Sequence, residues 1–181
     1  MICTTKELLK QGETEYSIRK MLANGTLFRI DRGLFKKKSD DLVNDEVLLT
    51  TKLSETVLTG VSAYSFYGLT DYVPEKIYVA SKQHSFPIRK ENVVQSYQDH
   101  KYFKIGITMA KTDEGLVRIY DFERMLIELI RLKSRYPADL YYEVLSNYRE
   151  RKEEIDYFKL NKYLKLFGNH DKLLQKIKEV I

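Results

Sequence analysis

The chain has 181 residues and is 43% hydrophobic, enough for one ordinary domain or two small ones with a real core. Its single cysteine, Cys3, excludes an intramolecular disulfide, and its three scattered histidines give no metal-ligand spacing, so neither a metal nor a cofactor is expected. There is no apolar run of about eighteen residues and no apolar stretch after Met1, which argues against a membrane span or secretion signal and favours the cytoplasm.

The positive charge of the chain is concentrated near its N-terminus. The net charge is +5. Residues 1–40 carry nine Lys and Arg against five Asp and Glu, a net charge of +4, whereas residues 41–181 carry twenty-two against twenty-one, a net charge of +1. A basic segment this short makes nucleic acid the first partner to consider, and an ordinary solvated surface is the alternative.

Two short helices joined by a tight turn are predicted at the start of the chain. The first begins after Thr4, a favourable N-cap residue, and stops at Gly12. The second begins at Thr14 and ends at Asn24, which is followed by another glycine. The pattern is therefore that of two consecutive helices, each with its own start and stop signals.

The second helix has one apolar face and one polar face. Ile18, Met21 and Leu22 lie three and four residues apart and define a buried stripe. Glu13 and Glu15 suit the positive end of the helix dipole but repel phosphates, so contact with the DNA backbone is better supported than contact with base edges. The residues of this helix that we expect to contact DNA are Tyr16, Ser17, Arg19 and Lys20. The alternative is a plain solvated face.

A β-hairpin is predicted directly after these helices. Residues 26–30 and 34–38 are prone to form strands, and a polar turn with a glycine separates them. Basic residues lie along the edge and at the tip of this hairpin, where they can reach phosphates beside a DNA groove. They are Arg29, Arg32, Lys36, Lys37 and Lys38. The order helix, helix, hairpin predicts a winged helix-turn-helix over residues 1–40, with a solvated lysine run as the alternative.

Residues 41–181 are predicted to form a separate domain with a small sheet and a run of helices. A capped helix over about 39–53 links the two parts, and a helix with Ser62 as its N-cap follows a short buried strand at 57–60. Further strands are predicted at 76–80, 93–97, 103–109 and 116–120, and helices at about 122–134, 138–152, 156–167 and 169–180. Strands followed by helices indicate an α+β fold rather than a parallel βαβ arrangement.

No catalytic residue is predicted. Asp121 lies where a helix N-cap belongs and Glu123 lies in the first turn, so both acids beside Arg124 have structural roles. Ser62 has neither a glycine elbow nor a histidine partner. A nuclease or transferase with a DNA-binding module would need clustered acidic metal ligands, and none is apparent in residues 76–120.

The helical end is rich in tyrosine and lysine. Tyrosines suit interfaces, although they more often cover a core. Six of them are Tyr136, Tyr141, Tyr142, Tyr148, Tyr157 and Tyr163. The interspersed lysines form either a second basic surface or the ordinary solvated face of amphipathic helices.

Three stretches of the chain resemble the AbiEi-type antitoxins of bacterial AbiE abortive-infection systems, which are type IV toxin-antitoxin systems. The first stretch is similar to the family's N-terminal winged-helix signature, the second to the opening of its C-terminal domain, and the third lies before the helical end. They comprise residues 5–9, 18–30 and 32–35; residues 57–64, 67–69 and 74–79; and residues 117–129. The chain has Met125 and Glu128 where members of the family often carry Thr and Asp.

The resemblance implies a protein that represses its own promoter through the winged helix. It further implies that the C-terminal domain counteracts a nucleotidyltransferase-like toxin without forming a stable complex with it. Because repressors often bind repeated half-sites, two copies on one operator are expected. A DNA-binding transcriptional regulator whose C-terminal domain serves only oligomerisation or ligand or partner binding is the alternative.

Overall fold

A computed structural model describes residues 2–37, 44–168 and 170–181. The chain combines helices and strands and divides into two compact units. The first unit comprises Met1–Ser54 and Met109–Arg118, and the second comprises Glu55–Thr108 and Ile119–Ile181. The predicted combination of helices with a small number of strands is confirmed.

In the described part of Met1–Ser54, the first unit holds three short strands and three helices. They are β1 (Ile2–Thr4), α1 (Thr5–Lys10), α2 (Glu15–Ala23), β2 (Phe28–Asp31), β3 (Leu34–Lys36) and α3 (Asp45–Lys52). Thr4 and Thr14 cap α1 and α2, and each cap is completed by the side chain three residues later. The two predicted N-terminal helices are therefore confirmed together with the residues that start them.

The predicted hairpin is also confirmed, and β1 extends it to a three-stranded antiparallel sheet of order β1-β3-β2. Gly33 adopts a positive φ of 74° in the turn, which an L side chain would strain. β1 was not predicted, because a strand of three residues that ends on the helix cap Thr4 carries no readable alternation. A small core forms between the helices and this sheet, and its buried members are Cys3, Leu8, Ile18, Leu27 and Phe35.

The predicted domain boundary at residue 40 and the helix cap at Ser39 lie outside the described residues, as does Lys38. The linking helix is described from its N-cap Asn44 onward, as α3, and is counted with the first unit. Val47 of α3 is buried there, and its Cγ1 atom would lie 3.1 Å from a Cβ atom on Gly115. This packing groups α3 and residues 109–118 with the N-terminal elements.

The second unit is built on a five-stranded sheet of order β6-β5-β4-β8-β7, and the tip of its last hairpin, residues 109–118, is counted with the first unit. The strands are β4 (Thr56–Leu58), β5 (Ile77–Lys82), β6 (Val93–Gln98), β7 (Ile107–Lys111) and β8 (Leu116–Tyr120). The helices are α4 (Gly60–Phe66), α5 (His100–Phe103), α6 (Phe122–Arg131), α7 (Ala138–Glu150), α8 (Tyr157–Leu166) and α9 (His170–Val180).

The structure departs from the sequence prediction at three points of this unit. The strand predicted at 103–109 is wrong at its start, because Phe103 ends the helix α5 and β7 begins only at Ile107. The sheet is mixed: β4 pairs antiparallel with β5, whereas β5 pairs parallel with β6 and β4 pairs parallel with β8. The prediction that Ser62 caps its helix is wrong. α4 begins at Gly60, and the buried hydroxyl of Ser62 instead accepts a hydrogen bond of 3.0 Å from the backbone N–H of Tyr78. This bond ties the helix to β5.

Within the described residues, no helix combines the length and the apolar character that crossing a bilayer requires.

Candidate nucleic-acid interface

Helix α2 presents a polar face to solvent, opposite the side that packs on the core. Ile18 is buried, whereas Tyr16 is 77% exposed and Lys20 is also exposed. Arg19 and Glu15 form an ion pair of 3.7 Å, with their side chains 80% and 79% exposed. A pair this exposed contributes little energy, so the Arg19 guanidinium remains available to another anion.

Ser17 has a different position from the other three predicted contacts on α2. Its hydroxyl oxygen accepts a hydrogen bond of 2.8 Å from the backbone N–H of Thr14, and it also lies 2.6 Å from Oε2 of Glu13. The Thr14 hydroxyl in turn accepts a bond of 3.1 Å from the Ser17 N–H. The structure therefore places Ser17 in the cap that starts α2.

The basic residues of the hairpin divide between the two faces of the sheet. Arg29 stands directly opposite Phe35, and its guanidinium lies 5.8 Å from the centre of that ring. Lys36 stands opposite Phe28 and Ile2, so the alternation of side chains sends it to the other face. Arg29 thus lies on the face that carries the helices, whereas Lys36 does not.

Two further cations lie near the ends of the hairpin. Arg32 is exposed in the turn, and its backbone N–H donates a bond of 2.6 Å to Oδ1 of Asp31. Lys37, just past β3, is exposed as well. Lys52 of α3 forms an ion pair with the other carboxylate oxygen of Asp31, so the acid in the hairpin has a cationic partner. With Asp31 paired in this way, the charges that the hairpin exposes are predominantly positive.

The Cys3 thiol lies beneath this surface and is nearly inaccessible. Burial raises the pKa of the thiol, and the positive charge of Lys37 opposes that shift in part. Its Sγ atom lies 3.5 Å from the carbonyl oxygen of Phe35, within the reach of a sulfur hydrogen bond. The geometry assigns Cys3 to the core rather than to thiol chemistry.

The second unit contains a buried polar cluster around α6. Asp121 caps this helix, as predicted, by accepting a bond of 2.9 Å from the backbone N–H of Arg124. Its other oxygen accepts a bond of 2.8 Å from the Tyr163 hydroxyl and lies 3.1 Å from Nζ of Lys159. Lys159 also lies 2.6 Å from Oε2 of Glu123. Both acids of the sequence motif therefore have partners within the protein.

These contacts shift the titration of the cluster. Burial opposes the charged form of Lys159, but the hydrogen bonds to Glu123 and Asp121 outweigh it and raise the pKa of the ammonium. Burial and the hydrogen bond to Asp121 raise the pKa of Tyr163 to about 12. Both shifts favour the protonated forms, the Lys159 ammonium and the Tyr163 phenol, which donate hydrogen bonds to the two acids. Among the described residues, no group of three or more His, Cys, Asp and Glu is arranged to hold a metal ion.

No protein-family model matches the chain, and no curated protein matches its sequence. Three chains of solved structures match its fold. One is the crystal structure of the RV2827C protein from Mycobacterium tuberculosis, which is 13% identical in sequence and superposes with a TM-score of 0.55. The match covers 98% of this chain and 72% of that chain. At this identity the likeness concerns the fold alone.

Proposed function

We propose that the first unit binds double-stranded DNA as a winged helix-turn-helix, with α2 in the major groove and the β2-β3 hairpin against the phosphate backbone. The order β1-α1-α2-β2-β3, with an antiparallel sheet closing the helix pair, supports this proposal. In helix-turn-helix proteins the second helix reads the major groove and the first crosses the backbone. A hairpin that follows the second helix then reaches adjacent phosphates.

The observation that carries the proposal is the run of exposed cations on α2 and the hairpin. They are Arg19, Lys20, Arg29, Arg32 and Lys37. Asp31 is partnered by Lys52, which is not one of these cations, and the exposed pair of Glu15 with Arg19 is too weak to withdraw Arg19 from a phosphate. Phosphate binding requires only positive charge and reach, which these side chains supply. Lys36, on the other face of the sheet, is the weakest of the predicted contacts.

The proposal extends to the whole chain as an antitoxin of a type IV toxin-antitoxin system. In this function the first unit represses the protein's own promoter, and the second unit counteracts a nucleotidyltransferase-like toxin without a stable complex. The support is the sequence resemblance in residues 5–9, 18–30 and 32–35, in residues 57–64, 67–69 and 74–79, and in residues 117–129. Two copies on repeated half-sites complete the repressor, and the chain acts in the cytoplasm, where the promoter is found.

Fluorescence anisotropy tests the DNA-binding step, using DNA from upstream of the gene, a scrambled duplex and a series of salt concentrations. We expect tighter binding to the upstream DNA and a steep loss of affinity with salt. Arg19→Ala, Arg29→Ala and Lys37→Ala should each weaken binding and reduce the salt slope by about one. Lys90→Ala removes an exposed cation from the second unit and serves as the matched control. Equal affinity for both duplexes, with the affinity of the variants unchanged, would refute the proposal that the chain is a repressor.

Co-expression with the product of the adjacent gene tests the antitoxin step. If that product arrests growth, the intact chain should restore growth, and so should the Arg29→Ala variant that binds DNA weakly. The rescue then depends on the second unit rather than on repression. Growth arrest that the intact chain does not relieve would refute the proposal that the chain is an antitoxin. It would favour a regulator whose second unit serves only oligomerisation or ligand binding.

A further inference from the structure

The second unit contains an open cavity of about 440 Å³ at one end of α6. This volume lies within the range of small-molecule sites, which is about 300 to 1,000 Å³. Residues from the end of α6, the start of α7 and the middle of α9 line it. The proposed DNA interface lies in the first unit, so this cavity needs a separate explanation.

The lining of the cavity is cationic. Arg131, Lys133 and Lys176 contribute positive charges, and none of the described residues that line the cavity carries a carboxylate. Nearby, Glu128 lies 3.1 Å from Arg131 and 2.6 Å from Arg124, so one carboxylate serves two guanidinium groups. Asp139 lies in the first turn of α7, next to the lining residue Ala138, and offsets one further positive charge. The local balance still remains positive, and an anionic ligand would be favoured there.

The N-terminus of α7 adds to this preference. Pro137 precedes the helix and provides no side-chain cap, while Ala138 at the first helical position lines the cavity. The first backbone N–H groups of a helix lack partners within it, and together with the helix dipole they attract phosphate. Ser134 also lines the cavity and supplies a hydroxyl group.

Aromatic rings form the other part of the lining. Tyr142 is 58% exposed, and its ring stands edge to face with that of Tyr141, with their centres 5.3 Å apart. Nζ of Lys133 lies 4.9 Å from the centre of the Tyr141 ring and 5.5 Å from that of the Tyr142 ring. An exposed tyrosine face beside cations can stack a flat ring while the cations hold a phosphate.

We infer that this cavity binds a nucleotide, with its phosphate groups at Lys133, Lys176 and the start of α7 and its base stacked on Tyr142. Each half of such a ligand matches a different part of the lining. Neither inorganic phosphate nor a free nucleoside would use both parts.

Calorimetric titration of the full chain tests the inference, with ATP, adenosine and tripolyphosphate as separate probes. ATP should bind more tightly than either of the others. Lys133→Ala and Lys176→Ala should each weaken ATP binding roughly tenfold, because each removes a charged partner of the phosphates. Tyr142→Ala should weaken ATP binding roughly fivefold or more and leave tripolyphosphate binding unchanged.

The control is Lys178→Ala, two residues beyond Lys176 on α9, where the helix turns the side chain to the other side. All four variants alter exposed side chains, and their thermal unfolding should match that of the parent chain. Equal binding of ATP and tripolyphosphate, or an equal loss in the Lys178→Ala variant, would overturn the inference and reduce the site to a basic surface. The DNA-binding proposal is tested independently by the anisotropy measurements.

Discussion

Nη2 of Arg124 lies 2.6 Å from Oε1 of Glu128, and the two side chains are 0% and 2% exposed. The guanidinium is also enclosed by the rings of Tyr120 and Phe167, whose centres lie 4.6 Å and 4.3 Å from its central carbon. Burial lowers the pKa of Arg124, and the Glu128 carboxylate opposes that shift. Removal of either partner would leave the other charge buried without compensation.

The variant Glu128→Gln should therefore destabilise the protein strongly. It leaves the Arg124 and Arg131 cations without their shared carboxylate, and breaking a buried pair in this way costs about 3 to 5 kcal/mol. Urea denaturation measures the loss in the free energy of unfolding. Arg124→Met with Glu128→Leu should recover much of it, because an apolar pair leaves no buried charge. A double variant no more stable than Glu128→Gln would contradict this explanation.

A second prediction concerns Gly106, which packs against the same cluster with a φ of 75°. A Cβ atom at this position would lie 2.5 Å from Cβ of Arg124 and 3.0 Å from Oδ1 of Asp121. Gly106→Ala should lower the free energy of unfolding by backbone strain and by overpacking of about 1 to 3 kcal/mol. Gly68→Ala is the matched control, because its φ of 63° gives similar strain and its Cβ atom would meet nothing within 4 Å. Equal losses in the two variants would remove the packing explanation.

The ends of the helices could be predicted from local signals in the sequence, whereas the pairing of distant strands could not. Thr14, Asn24 and Asp121 mark helix ends, where they form hydrogen bonds with residues only a few positions away. The residue types and spacing that such caps require can be recognised in the sequence. The parallel pairing of Leu58 with Ile119 joins strands about sixty residues apart, and nothing in either short strand specifies its partner. The mixed sheet was therefore not foreseen.

In the candidate sites, too, features set by local sequence could be predicted, whereas features set by contacts between distant residues could not. The exposed face of α2 follows from helical periodicity, so Arg19 and Lys20 were placed correctly on the surface. The separation of Arg29 from Lys36 depends on the hairpin register, which the turn alone did not reveal. The cavity at Lys133 and Lys176 was missed because helices distant in sequence form it. Only the abundance of tyrosine and lysine at that end hinted at a surface there.

The cap of α2 provides a third prediction, which separates a structural role of Ser17 from a DNA contact. Thr14→Ala and Ser17→Ala should each destabilise the first unit by about 1 kcal/mol, because each removes half of the capping box. Anisotropy below the melting temperature should show the same salt slope for Ser17→Ala as for the parent chain. Ser146→Ala, at an exposed position of α7, is the control for loss of a hydroxyl. A reduced slope for Ser17→Ala would instead assign it to the DNA interface.

A fourth prediction concerns alkaline pH. Burial raises the pKa of Tyr136 to about 12, and burial with the Asp121 hydrogen bond does the same for Tyr163. In the unfolded chain these phenols ionise near pH 10. The folded state thus binds more protons above that pH, and the free energy of unfolding should fall as the pH rises from about 10 to 12. Urea denaturation measures this slope.

The Tyr163→Phe variant should make that alkaline slope shallower, because one of the shifted phenols is gone. Tyr157→Phe, which removes an exposed phenol from the same helix, is the matched control. Ultraviolet difference absorbance, which follows phenol ionisation directly, should show a late component that Tyr163→Phe reduces. A slope identical in Tyr163→Phe and the parent chain would contradict the assignment to Tyr163.

The last prediction concerns Glu15, which lies in the first turn of α2 and pairs with Arg19. If α2 enters a DNA groove, this carboxylate repels phosphates and competes for the guanidinium that would bind them. Glu15→Gln should therefore strengthen binding to the upstream DNA by about twofold to fivefold at low salt, the range expected for one exposed charge interaction. The gain should shrink as salt is added, because screening weakens the repulsion. Glu91→Gln, at an exposed position of the second unit, controls for the change in net charge. An equal gain from Glu91→Gln would trace the effect to overall charge, and weaker binding by Glu15→Gln would place the DNA away from this end of α2.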